Sequence, residues 1–204
     1  MKLVVFLTLA LMLGTASLTT AVAQDDEFDG REAARRLAKQ LGSSDAPTRR
    51  AAAEGLAKLA AVEQKKLVEG YVLQEKDKRV RLALNWALYR MGKSETLYEV
   101  VRDLDSSRHD QAAEYLTQLE GPEPLYGFLN RDNTPYKVKL RVIEVLGQIG
   151  NRETLVQLQS FSNSDETELA TAAKSSSHQI EERLNQPQPE QKGRPRVVSK
   201  RDEP

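Results

Sequence analysis

The chain has 204 residues, with 30 lysines and arginines against 30 aspartates and glutamates. That balance excludes the domain-scale basic surface needed to neutralise nucleic-acid phosphates. The absence of cysteine excludes a disulfide framework and a lipidated cysteine, so packing alone must hold the fold.

The first element is predicted to be an export signal. Lys2 precedes an apolar run from Leu3 to Leu13, broken only by Thr8, and small residues then lead to Ala21-Val22-Ala23. This predicts a cleavable signal peptide over residues 1–23, cut after Ala23, because the run is well short of the roughly 20 residues that span a bilayer. An uncleaved anchor is the alternative. Asp25, Asp26 and Glu27 then open a stretch, 24–30, read as a flexible acidic N-terminus. No later apolar run is long enough to span a membrane, so the mature chain is expected to be soluble, periplasmic or secreted, and without stable membrane insertion.

From residue 31 to 184 short amphipathic helices alternate with polar breaks. Four phrases, LAKLA, LYRMG, LTQLE and LGQIG, begin at Leu56, Leu88, Leu116 and Leu146, at intervals of 32, 28 and 30 residues. A period in this range is the signature of a solenoid, whose repeats bury their apolar faces against each other. Four residues before these anchors stand Ala52, Leu84, Ala112 and Val142, and three after them Leu59, Met91, Leu119 and Ile149. The resulting i, i+4, i+7 stripe predicts one buried helical face. A shorter helix is expected before each, over Glu63–Leu73, Glu95–Leu104, Pro124–Leu129 and Arg152–Phe161. Asp29-x-x-Glu32 and Asp165-x-x-Glu168 resemble capping boxes, Thr134-Pro135 reads as a helix start, and Gly92, Gly121 and Gly150 as stops.

After Leu184 the character changes. Residues 185–204 are proline-rich and polar, with five basic and three acidic side chains, and are predicted to be disordered. Such a tail serves either as a tether to an anionic envelope surface or simply as a solvated end.

The pattern Asp-x-x-x-Arg-x-x-Ala followed by Leu-x-x-Leu resembles the short HEAT repeats of phycobilin lyases and many bacterial proteins. Asp77, Arg81, Leu84, Leu88, Met91 and Gly92 match it best, and Asp45, Arg49, Ala52, Leu56 and Leu59 also fit. His109 and Lys139 take the basic column of the next two repeats. The fifth is degraded, with Asp165 and Ala172 in place but Ser176 instead of leucine. The resemblance implies an all-α fold, an α-solenoid of about five helical hairpins. It also implies that the Asp–Arg pairs form a ladder of hydrogen bonds along the inter-repeat turns, and that the second helices line a concave face where partners dock.

No catalytic, cofactor-binding or metal-ligating residue is predicted. His109 and His178 are far apart, and neither a phosphate loop nor a nucleophile elbow is found. One column departs from the repeat: Glu54, Trp86, Glu114 and Glu144 stand two before the anchors. Three glutamates mark it as solvent-facing, so Trp86 is expected to project outward, with Leu82, Tyr89 and Arg90 beside it and Lys139 and Arg141 as flanking charges. An exposed aromatic beside an arginine has the composition of a protein-binding hot spot. The competing reading is that Trp86 seals a gap between helices. The chain is thus expected to be an exported, non-enzymatic scaffold binding a protein or peptide of the envelope. An architectural spacer, or a lyase-type or cofactor-handling protein of the same repeat class, are the alternatives.

Overall fold

The computed structural model describes residues 19–186, with side chains from Asp29 onward. Among them every regular element is helical: α1 Thr19–Gln40, α2 Ala46–Lys58, α3 Lys65–Gln74, α4 Lys78–Arg90, α5 Leu97–Arg102, α6 His109–Leu116, α7 Glu123–Leu129, α8 Tyr136–Ile149, α9 Arg152–Ser162 and α10 Thr167–Asn185. In chain order these are five pairs, as the repeat predicts, and the fold is all-α. The described residues divide into two compact units, one up to Glu99 and one from Val100 onward, with the boundary inside α5.

In the first unit α2 packs on α1 and α4, and α3 packs on α4. Asp45 N-caps α2, accepting from the Thr48 N–H at 2.9 Å, and Asp77 N-caps α4, accepting from Arg79 and Val80. These aspartates recur because each satisfies N–H groups that a helix start leaves open. Both helices end in the same turn. In α4, Lys93 N–H reaches the Leu88 carbonyl and Gly92 N–H the Tyr89 carbonyl, with Gly92 at φ +85°. In α2 the same two bonds run from Ala61 to Leu56 and from Ala60 to Ala57, and Ala60 takes φ +46°. This closure requires a left-handed residue just past the helix, which glycine adopts freely and alanine does not.

In the second unit α8 is the hub, packing on α7, α6 and α10, while α9 covers α10. Val138, Val142, Ile143, Val145 and Leu146 form its buried face. The stripe of α10 is Leu169, Ala173, Ser176 and Ile180. Ala173, not Ala172, therefore holds the buried column of the fifth repeat.

Several boundaries differ from expectation. Residues 24–30 belong to α1 rather than to a flexible segment, and Asp29 lies inside that helix instead of capping it. No proline interrupts Thr19–Gln40, and its one glycine, Gly30, does not stop it. Asp165 does not cap α10, whose N-cap is Glu166 without a side-chain bond. Pro135 is the N-cap of α8, not its first helical residue. Leu59 is 42% exposed, although its counterpart Met91, likewise one residue past the end of its helix, is 2% exposed, so the stripe does not hold at the end of α2. Residues 1–18 of the expected signal peptide and 187–204 of the expected tail lie outside the described residues.

Candidate functional site

The expected surface anchor is buried. Trp86 is 2% exposed and Leu82 1%. Trp86, Tyr89 and Arg90 do come together, as their i, i+3, i+4 spacing dictates. The tyrosine ring lies 5.5 Å from the indole at 23°, and the Arg90 guanidinium sits 5.8 Å from the indole centroid. Here the cluster works inward. The indole is covered on its own helix by Tyr89 and Arg90, both half-buried, so its faces are spent on intramolecular stacking and cation–π contact. The outward projection inferred from the glutamate column is therefore corrected, since Glu114 and Glu144 are exposed while Trp86 is not.

Lys139 and Arg141 lie on α8, in the second unit. Arg141 Nη1 donates to His109 Nδ1 at 2.9 Å, so this cation is engaged with the residue that replaces the basic column of the third repeat.

The expected ladder of Asp–Arg bonds takes another form. Arg49 reaches past Asp45 to Glu75, with Nε donating to Oε2 at 2.7 Å and Nη2 to Oε1 at 2.9 Å. Its third nitrogen binds the carbonyls of Ser43 and Ser44. Glu75 Oε1 in turn accepts from the Asp77 N–H at 2.8 Å. Glu75 thus links the turns before α2 and α4, and its carboxyl is held below the usual carboxylate range chiefly by the Arg49 hydrogen bond. Arg81, the counterpart of Arg49, is exposed. The repeat pattern contained no signal for Glu75, because it lies outside the recurring columns.

A groove of about 830 Å³ lies between α8 and α10. Leu140, Glu144 and Gln148, spaced i, i+4, i+8, form one wall. Thr167, Glu168, Thr171, Ala172, Ser175, Ser176 and Gln179 form the other wall and the floor. Small residues bring the two helices close at its base. Ser176 is 3% exposed and its Oγ donates to the Ile143 carbonyl at 2.9 Å. A Cβ on Gly147 would meet Ser176 Oγ at 2.8 Å. At the far end Arg183 donates to the carbonyls of Gly147, at 2.9 Å, and Gly150, placing a cation at the C-terminus of α8 where the helix dipole favours it. Glu168 Oε2 accepts from the Tyr136 hydroxyl at 3.0 Å. Among the described residues no group of three or more histidines, acids or cysteines is placed to hold a metal ion. No described helix is long and apolar enough to cross a membrane.

No family model matches the chain, and no curated protein matches it. Among solved structures the chain is similar to an engineered protein determined by a structural genomics consortium, with 18% identity over 80% of this chain and 93% of that one and a TM-score of 0.33. A likeness at that level carries no argument about this chain.

Proposed function

We propose that this chain is an exported, non-enzymatic scaffold of HEAT-like repeats that binds a protein or peptide. The observation that carries the reading is the α8–α10 groove, formed by the second helices of two consecutive hairpins. Those are the helices that the repeat resemblance assigns to partner docking. Its lining residues are mostly hydroxyls, amides and carboxylates, with apolar surface beside them at Leu140 and Ala172, which suits a peptide backbone and polar side chains with methylene stems. The N-terminal signal, with its short apolar run and Ala21-Val22-Ala23 site, supports a destination in the periplasm or outside the cell. The binding surface moves from the Trp86 cluster to this groove, because the Trp86 cluster is committed to the interior.

The test is capture from envelope extract by the mature chain beside a Thr171→Arg, Ser175→Arg variant. Both positions are exposed on α10, so long cations there fill the groove without disturbing the core. Loss of a captured protein by a variant of unchanged helicity supports the scaffold. Equal capture by both removes the groove from the reading, and a self-assembled oligomer as the sole product favours the architectural spacer.

A further inference from the structure

We infer that the α8–α10 groove receives an extended, cationic peptide segment. This rests on the binding reading above and adds the partner's chemistry.

The charges of the lining are one-sided. Glu144 and Glu168 are its two ionisable residues, and no lysine, arginine or histidine lines it. Glu144 is exposed and makes no ion pair among the described residues. Glu168 gives one oxygen to Tyr136 and keeps the other for a ligand. The cations considered above stand outside the lining: Arg183, past its far end, is held on the Gly147 and Gly150 carbonyls, Arg141 is bound to His109, and Lys139 does not line the groove. An anionic ligand entering here would approach two carboxylates with no cation in the lining to offset them.

The dimensions suit an extended chain. From Leu140 to Gln148 the α8 wall runs about 12 Å, and from Thr167 to Gln179 the α10 wall about 18 Å, at 1.5 Å per helical residue. At about 3.3 Å per extended residue that accommodates four or five residues. Gln148 and Gln179 each carry a donor and an acceptor for peptide N–H and C=O groups. Leu140 and Ala172 offer the apolar surface on which the methylene stems of lysine or arginine lie while their heads reach the carboxylates. A small cation would use the carboxylates and leave the amides idle, whereas a cationic peptide uses both.

The measurement is a titration of isotope-labelled mature chain, followed by amide NMR shifts, with three short blocked peptides: alternating Lys-Ser, alternating Glu-Ser and alternating Gln-Ser. Saturable shifts confined to groove residues with the Lys-Ser peptide alone are expected. In the Glu144→Gln, Glu168→Gln variant its affinity should fall roughly 2- to 25-fold, each exposed pair contributing up to about fivefold. Equal binding of the Gln-Ser peptide in the groove, indifferent to the variant, overturns the cationic assignment and leaves the binding reading intact. Scattered shifts from the Lys-Ser peptide, unchanged in the variant, overturn it as non-specific attraction. If no peptide shifts the groove while the capture above still depends on it, the extended-peptide chemistry is wrong; if capture fails as well, both fall. In a further variant, Lys192→Gln, Arg194→Gln, Arg196→Gln, groove shifts without any added peptide identify the chain's own basic end as the occupant and overturn an external partner.

Discussion

Arg49 and Glu75 are joined by two parallel hydrogen bonds, although 26 residues separate them. The pair is largely withdrawn from water, the side chains being 18% and 6% exposed, and each carboxylate oxygen takes one guanidinium nitrogen. Bidentate geometry of this kind is stronger than an ordinary surface pair. Glu75→Ala leaves the guanidinium partly buried without its partner and is expected to cost about 2 kcal/mol in urea unfolding. Because Arg49 lowers the folded carboxyl below its ordinary value of 4.5, the stabilisation is complete above that value. It is lost as pH falls through the lower, folded value. Urea unfolding of wild type and Glu75→Ala at stepped pH should therefore converge under acid. A gap that stays constant into strong acid contradicts the assignment.

Trp86 belongs to the interior, and its energetics should follow. Trp86→Ala is expected to cost about 3–5 kcal/mol, the range for emptying a large aromatic site. As the sole tryptophan it also reports directly on its surroundings. Its emission should be blue-shifted, with slow acrylamide quenching until the chain unfolds. Solvent-like emission from the folded protein would restore an outward-facing indole.

The turns after α2 and α4 are closed by the same hydrogen bonds, but one uses Ala60 and the other Gly92. An alanine in the left-handed region carries a steric cost of about 1–2 kcal/mol that glycine avoids. The greater unfolded-state freedom of glycine returns part of that difference. Ala60→Gly should therefore stabilise by up to about 1 kcal/mol, while Gly92→Ala destabilises. Opposite signs at two equivalent positions, measured by thermal unfolding, check that both turns share one backbone.

His109 Nδ1 has two neighbours that ask opposite things of it. Arg141 can only donate, so its 2.9 Å bond needs a lone pair on Nδ1. Asp110 Oδ1, 2.8 Å from the same atom, can bond it only when Nδ1 carries a proton. In the neutral ring the Arg141 bond places the proton on Nε2. Nitrogen NMR of His109 at high pH should show the Nε2–H tautomer, and Arg141→Ala should raise the Nδ1–H share. An unchanged tautomer ratio in that variant would mean the arginine does not set it.

Periodicity made the five helical pairs legible, because burial of one face imposes the leucine spacing directly. The caps were legible where one side chain does the work, as at Asp45 and Asp77. Glu75 was not, since it sits in a turn and acts across repeats, where no spacing rule applies. The column logic failed at Trp86 because a column averages over repeats. Glutamate at three positions says nothing about a fourth that fills its surroundings with an indole. The α8–α10 groove was hidden for a related reason. Its base depends on Gly147 and Ser176, and the serine read as a loss of pattern.

Ser176 supplies the sharpest test of that last point. Judged by the repeat, Ser176→Leu restores the anchor found at Leu56, Leu88, Leu116 and Leu146 and should stabilise. Judged by the packing it should do the opposite. Ser176 is buried against α8, its hydroxyl donates to the Ile143 carbonyl, and even a methyl on Gly147 would come within 2.8 Å of its oxygen. A leucine there removes a buried hydrogen bond and forces α8 and α10 apart, an overpacking cost of about 1–3 kcal/mol. Ser176→Ala loses the hydrogen bond without the clash and should cost less, about 1 kcal/mol. Thermal unfolding should therefore rank wild type above Ser176→Ala and Ser176→Ala above Ser176→Leu. A leucine variant more stable than wild type would mean that the helices approach less closely than the Ser176–Ile143 bond requires.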